Sequence, residues 1–182
     1  MKHETLLLAC LLGFAAAACT KESVKTTFSR QETLIENFLS SQLKRDSTLR
    51  VVSNGGSERL VLTAGEGEEL RAGGTVSFYY AGYILTGSSI SSSNLFATNY
   101  QPLAESAGWN VTDSTSFAIE TLTLAETDLV TGLRNGLMGV QGGEECYILF
   151  SGKYGFGRKV LGTIPANAAL AYHIWVESLS ND

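Results

Sequence analysis

The segment that decides the fold is Tyr154–Glu177, YGFGRKVLGTIPANAALAYHIWVE. It begins with aromatic residues separated by glycines, continues through a loop that closes at Ile164–Pro165, and ends where large and small apolar residues alternate. A period of two residues predicts a strand with one apolar face. That face carries Leu170, Tyr172, Ile174 and Val176. A loop bearing Ile164 directly before such a strand indicates that loop and strand line an apolar pocket, the alternative being an accident of folding.

A second segment shows the same alternation. In TVSFYYAGYIL, residues 75–85, one face is formed by Val76, Phe78 and Tyr80. The segment therefore predicts another strand. Further predicted strand segments are RLVLT at 59–63, which follows a turn at Asn54–Gly56, and the end of GGEECYILFS at 142–151.

One short helix is predicted at TDLVTGLRNGLMGV, residues 127–140, with Thr127 or Asp128 as its N-cap. Leucines four residues apart give it an apolar face: Leu129, Leu133 and Leu137. Strands and helices do not alternate along the chain, so we predict an α+β fold in which an antiparallel sheet curls around one short helix. A long irregular insertion, residues 100–116, has the length typical of functional loops.

The N-terminal end predicts export. Leu6–Ala18 is an apolar run that is too short to span a bilayer and has the length of a signal-peptide core. It ends in FAAAAC, whose small residues before Cys19 resemble a bacterial lipobox. We therefore predict a lipoprotein signal peptide at 1–18 and lipidation of Cys19. An ordinary secretory signal with an incidental cysteine is the alternative.

The residues after the signal predict a tether and a helical segment. Residues 19–28 are polar and are predicted to link lipid and domain. In the segment 29–50, Ser29 and Glu32 match a capping box. Apolar residues at helical spacing then predict an amphipathic helix at about 30–45, packed on the domain rather than binding a partner. Residues 51–182 are predicted to form the single main domain.

Composition excludes several function classes. The net charge is −5, and it stays −5 after loss of Lys2 and Glu4 with the signal peptide, so nucleic acid is not a predicted partner. Cys146 alternates with Ile148 and is predicted to be a small buried hydrophobe. No Cys/His cluster is present, so no metal site is predicted. GEGEELRAGG lacks the strand and helix of a nucleotide site, and no cofactor is predicted.

Four segments together resemble the FKBP family of peptidyl-prolyl isomerases over about residues 57–179. They are VSFYYAGYILTG, LFATN, LVTGLRNGLMGVQGGEE and SGKYGFGRKVLGTIPANAALAYHIWVESL. The last is the most specific, because its glycines, aromatic residues and Ile–Pro fall at the spacings of the family's Tyr-x-Tyr-Gly, Ile-Pro-Pro and final strand. The resemblance implies a five- or six-stranded antiparallel sheet around one short helix, with a shallow apolar pocket between them.

The resemblance also implies the site residues. The catalytic pocket would contain Tyr80, Phe96, Val130, Leu133, Phe156, Ile164 and Tyr172. Substrate contacts would come from Leu129, Ala97 and Phe117. The backbone N–H of Val130 would hold the substrate carbonyl.

Three positions depart from the family pattern. Ala97 stands where the family usually has Asp, and Phe156 lacks the hydroxyl of the second Tyr in Tyr-x-Tyr-Gly. Leu133 replaces the Trp of the pocket floor. A hydrogen bond lost in this way is worth about 1 kcal/mol, or roughly fivefold in rate.

The implied function is peptidyl-prolyl cis-trans isomerisation that assists the folding of envelope proteins. Its partners would be proline-containing peptides or unfolded proteins, and a membrane through the lipid anchor. A non-catalytic FKBP-like peptide-binding or chaperone lipoprotein is the alternative. The predicted location is the cell envelope, at the outer membrane, because Lys21–Glu22 after Cys19 is similar to the surface signal of some Bacteroidetes lipoproteins. Oligomeric state has no signal in the sequence.

Overall fold

The computed structural model describes the backbone of residues 2–125 and 129–182, and side chains from Glu22 onwards in those ranges except that of Ser114. The helices are α1 (Lys2–Arg45), α2 (Gln101–Ser106) and α3 (Thr131–Leu137). The strands are β1 (Arg50–Asn54), β2 (Ser57–Thr63), β3 (Thr75–Ile84), β4 (Leu95–Thr98), β5 (Glu120–Thr123), β6 (Glu145–Phe150) and β7 (Leu170–Ser180). Single 3-10 turns lie at Ser92–Asn94 and Ser114–Phe117.

The strands form one antiparallel sheet in the order β1-β2-β6-β7-β3, and both β4 and β5 pair with the remaining edge of β3. β4 pairs with Ala81–Tyr83, and β5 pairs with Thr75–Phe78. The predicted α+β fold, with a curled antiparallel sheet, one short helix against it and an extra N-terminal helix, is confirmed. The residues between β4 and β5 are an insertion at this split edge.

Helix α3 lies directly on β6, because two of its residues have no side chain. A Cβ on Gly132 would lie 2.2 Å from the Phe150 ring, and one on Gly136 would lie 2.1 Å from Ile148 Cγ2. Such distances are shorter than any van der Waals contact, so only glycine permits this approach. The main core fills the space between α3 and the sheet. The two predicted strand faces are confirmed, because their residues join this core: Val76, Phe78, Leu170, Tyr172, Ile174 and Val176, with Tyr80 packed against it.

Helix α1 covers the opposite face of the sheet. Its buried residues Ile35, Phe38 and Leu39 belong to a second apolar cluster, and the Phe38 ring meets Tyr147 of β6 edge to face at 6.0 Å between centroids. The Gln31 side chain donates to the Asn167 carbonyl at 2.7 Å and accepts from the Gly152 N–H at 2.9 Å. These contacts confirm that the helix packs on the domain.

The start predicted for this helix is wrong, although its end at Arg45 is as expected. The helix runs from Lys2 through residues 19–28 and passes Ser29 without a break, where the Thr33 hydroxyl donates to the Ser29 carbonyl at 3.1 Å. No glycine or proline interrupts residues 19–45, so local capping signals are overridden by helix continuation. Within the described residues, no helix has both the length and the hydropathy needed to cross a membrane.

A buried ion pair holds the far end of α3. Arg59 on β2 donates to the carbonyls of Met138 and Gly139 at 3.1 and 3.0 Å, where the helix ends. Its Nε lies 3.3 Å from Glu144 Oε1, and both side chains are almost fully buried. Burial raises the pKa of Glu144, and the nearby Arg59 opposes that rise. Cys146 is buried beside this pair, as predicted, and burial raises its pKa so that it remains a neutral thiol.

Candidate functional site

A cavity of about 250 Å³ opens between α3 and the split edge of the sheet. Five elements contribute to its walls: β3, β4, β5, β7 and the start of α3. The residues that line it are Phe78, Tyr80, Phe96, Ala97, Glu120, Leu122, Leu129, Leu133 and Tyr172. Apart from Glu120 these side chains are apolar or aromatic, so the cavity suits a small apolar group.

Six of the residues implied by the resemblance lie together at this cavity. They are Tyr80, Phe96, Ala97, Leu129, Leu133 and Tyr172. Val130 and Phe156 are half-buried and pack against the adjoining core instead of lining the cavity. Phe117 is half-buried in the 3-10 turn of the insertion.

Ile164 occupies a different place from the one expected. It is 7% exposed, joins the main core and pairs with Leu161 in an isolated bridge. The exposed residues of this loop are Val160 and Leu161, at 67% and 42%. Ile164 is therefore a buried support of the loop rather than its tip, because the bridge turns its side chain towards the core.

Tyr172 is the centre of the aromatic wall. Its ring meets Phe96 edge to face at 5.8 Å and Tyr80 at 6.3 Å between centroids, and it stacks on Phe150 at 5.9 Å. Four rings from three strands and β4 thus fix one another's positions. Gly82 makes this possible, since a Cβ there would lie 2.5 Å from Phe96 Cζ.

Two hydroxyl groups make this apolar site able to donate hydrogen bonds. Burial raises the pKa of both Tyr80 and Tyr172, and the Glu120 carboxylate raises that of Tyr80 further. Both phenols are therefore neutral at physiological pH. Neither hydroxyl bonds to a protein group in the part of the chain that the structure describes. A ligand carbonyl in the cavity would find a donor in either.

The start of α3 offers a backbone donor. Val130 is the N-cap residue, and its carbonyl accepts from the Arg134 N–H at 3.1 Å. The next available N–H, that of Gly132, donates to the Tyr154 carbonyl at 2.8 Å and is already paired. Among described residues, the Val130 N–H has no hydrogen-bond partner. Thr127 and Asp128, the predicted caps, lie outside the described residues.

Asn99 is a site support that the sequence prediction missed. It is 4% exposed and fills the gap between β4 and β5 on the edge of β3. Its Oδ1 accepts from the Tyr80 N–H at 2.6 Å, while its Nδ2 donates to the carbonyls of Phe78 and Ala118 at 3.3 and 3.1 Å. The side chain thus replaces the backbone partner that the interrupted edge strand lacks. No periodic signal marks a residue of this kind.

β5 supplies a wall that was also missed. Glu120 pairs with Phe78 and Leu122 pairs with Val76, so both point to the inner face of the sheet. The intervening Thr121 bonds Ser77 on the outer face at 2.8 Å between hydroxyl oxygens. The alternation in ETLT was the available signal, but four residues are too few to distinguish a strand from a loop.

The chemistry available at this site is binding and orientation. The cavity has apolar walls, two neutral hydroxyls, one backbone donor at its rim and one carboxylate. Within the residues that the structure describes, no group of three His, Cys, Asp or Glu is placed to hold a metal ion. The nearest His, His173, faces the outer side of the sheet, where it bonds Glu145 at 2.8 Å.

Comparison with known proteins gives a consistent result. The sequence profile of the FKBP-type peptidyl-prolyl cis-trans isomerases matches residues 66–177. FK506-binding protein 1 from Aspergillus oryzae is 25% identical over 124 residues, which cover 65% of this chain and 94% of that protein.

Solved structures show the same fold. FkpA from Escherichia coli aligns with a TM-score of 0.57 and 17% identity, over 96% of this chain and 71% of that one. The three FKBP domains of wheat FKBP73 give a TM-score of 0.58 at 17% identity, over 74% of this chain and 52% of theirs. The N-terminal domain of FKBP42 from Arabidopsis thaliana gives 0.56 at 12% identity, over 72% and 93%.

Proposed function

The chain belongs to the family of FKBP-type peptidyl-prolyl cis-trans isomerases, and we propose that it isomerises X–Pro bonds in proteins of the cell envelope. One observation carries the proposal. Tyr80, Phe96, Leu133 and Tyr172, which are far apart in sequence, converge on a cavity of about 250 Å³. Its size and apolar walls suit a prolyl ring.

The reaction needs no nucleophile, metal or proton transfer. Rotation about a peptide bond is opposed by a resonance barrier of about 18–20 kcal/mol. The twisted transition state has lost resonance and is less polar than the planar imide. An apolar cavity therefore favours the transition state over the ground state, relative to water. The walls formed by Phe96, Leu133 and Tyr172 supply that environment.

Orientation of the substrate would come from hydrogen-bond donors at the cavity. The unpaired N–H of Val130 is placed at the start of α3 to hold a substrate carbonyl. The Tyr172 hydroxyl is a second donor, within the wall itself. These two donors partly offset the polar groups absent at Ala97 and Phe156.

We further propose that the protein is a lipoprotein of the outer membrane, anchored through Cys19. The apolar run ending in FAAAAC supports this, as does the length of α1, which extends well beyond the domain that it packs against. Mass spectrometry of the mature N-terminus tests the anchor. Diacylglyceryl-modified Cys19 is expected, and a Cys19→Ser variant should leave the membrane fraction. A mature protein with a free Cys19 thiol contradicts the proposal.

A second candidate function is peptide binding without catalysis, as in a chaperone. Ala97 and Phe156 favour it, because each removes a polar group that the resemblance associates with the substrate. The cavity remains apolar without them, so affinity for proline segments would survive a loss of turnover.

An isomerisation assay on proline tetrapeptides separates the two functions. The first predicts rate constants above those in buffer at micromolar protein, and a marked loss in Phe96→Ala. Phe28→Ala, the same change on α1 away from the cavity, is the matched control. Rates equal to buffer eliminate catalysis. Slower aggregation of an unfolded client by the same preparation then supports the chaperone.

A further inference from the structure

Glu120 occupies a position that the strand pattern assigns to an apolar residue. It pairs with Phe78 across the β3–β5 ladder, and directly opposed residues of an antiparallel pair point to the same face. Phe78 is 2% exposed and belongs to the core, so the Glu120 side chain is directed to the cavity. Leu122, two residues on, follows the same direction.

The carboxylate has no partner within the protein. Among the described residues, the ion pairs join Arg59 to Glu144, Arg71 to Glu68 and His173 to Glu145, and none involves Glu120. No described group donates a hydrogen bond to it either. It is solvent-exposed, so the cost of leaving the charge unpaired is small.

The surroundings of Glu120 match a cationic ligand. It is the charged member of the described residues that line the cavity. Its charge is felt by the Tyr80 phenol, which is half-buried in the same wall. An ammonium or guanidinium group placed there would contact a carboxylate and the aromatic ring together, and its aliphatic stem would pack on Leu122.

We propose that Glu120 makes the site selective for X–Pro segments that carry Lys or Arg next to the proline. The proposal rests on the proposed function, since the proline occupies the same cavity. The apolar walls bind the prolyl ring, and Glu120 reads the charge of its neighbour. An acidic neighbour is disfavoured by repulsion at the same point.

The test uses two sets of tetrapeptides. In one set the residue before the proline is Lys, Leu or Glu, and in the other set the residue after it is varied in the same way. The full-length protein is compared with Glu120→Gln, Glu120→Lys and Glu177→Gln. Glu177 is exposed on β7, so its variant has the same net charge as Glu120→Gln with the cavity untouched.

The wild-type protein is expected to prefer Lys over Leu by about three- to fivefold in kcat/KM in at least one set, the effect of one partly screened ion pair. Glu120→Gln should abolish the preference, and Glu120→Lys should transfer it to the Glu peptides. Glu177→Gln should retain it. Salt at about 0.5 M should reduce it, because the pair is exposed.

Equal Lys/Leu ratios for wild type and Glu120→Gln in both sets overturn the proposal and show that Glu120 only keeps the rim hydrated. If no peptide is isomerised, the proposed catalysis fails separately. The dissociation constants of the same peptides then decide the charge preference.

Discussion

The ring of Phe96 meets the ring of Tyr172 edge to face, with 5.8 Å between centroids, directly over the backbone of Gly82. The two aromatic residues belong to strands on opposite sides of β3. They touch because the residue between them has no side chain. The aromatic wall of the cavity therefore depends on a residue that contributes no atom to the contact.

Gly82→Ala should damage the site more than the fold. The added Cβ would lie 2.5 Å from Phe96 Cζ, and the half-buried Phe96 ring can move to relieve that clash. We expect a loss of stability of about 1 kcal/mol. The displaced wall should lower kcat/KM about tenfold or more. Gly87→Ala is the control, because no atom lies within 4 Å of its added Cβ. Unchanged kinetics in Gly82→Ala would show that Phe96 does not contact substrate.

Asn99→Asp should destabilise the split edge of the sheet. The carboxylate can still accept from the Tyr80 N–H but cannot donate to the carbonyls of Phe78 and Ala118. A buried charge facing two carbonyls should cost about 2–4 kcal/mol in the free energy of unfolding, measured by urea titration. Asn110→Asp is the matched change, because exposed Asn110 only accepts a bond, from the Thr112 N–H. Equal stability of the two variants would contradict the ladder role.

Phe156→Tyr should raise activity. Phe156 is half-buried beside the core, and the added hydroxyl restores the group that the family resemblance assigns to substrate binding. A single new hydrogen bond in the transition state is worth about 1 kcal/mol, so kcat/KM should rise about fivefold. Phe28→Tyr on α1 makes the same change outside the site and should leave the rate unaltered. A Phe156→Tyr rate equal to wild type would remove this position from the substrate contacts.

His173 should make the fold weaker in mild acid. It lies on the outer face of β7, stacked between Tyr147 and Trp175. Burial lowers its pKa, and the Glu145 carboxylate bonded to it opposes that shift. The folded protein thus binds the proton less tightly than the unfolded chain. The stability that neutral His173 provides is present above its ordinary pKa of 6.5 and is lost as pH falls through that region.

His173→Phe keeps the stacked ring and removes the titration. From pH 7.5 to pH 5, the wild-type free energy of unfolding should fall relative to that of this variant, by at most about 1.4 kcal/mol per pH unit. Working at pH 5 and above avoids the ordinary range of carboxylates. If the wild type instead gains on the variant in acid, the Glu145 attraction outweighs burial.

Strand identity was predictable because it depends on local alternation. The inner faces of β3 and β7 follow from period two, and each buried residue is confirmed by the core. The α3 leucines and the buried Cys146 were predictable for the same reason. The start of α1 was not, because Ser29 and Glu32 form a capping signal that a continuing helix overrides.

The sequence by itself determined the fold class, the order of the main strands and the apolar character of the pocket. Only the tertiary structure decided that Glu120 and Leu122 form a wall, that Asn99 completes the edge of β3, and that Ile164 is buried support. The physical reason is that alternation fixes which side of a strand a residue faces. Which distant residues meet on that side depends on strand register and on the closure of the sheet over α3, and neither is encoded in any single segment.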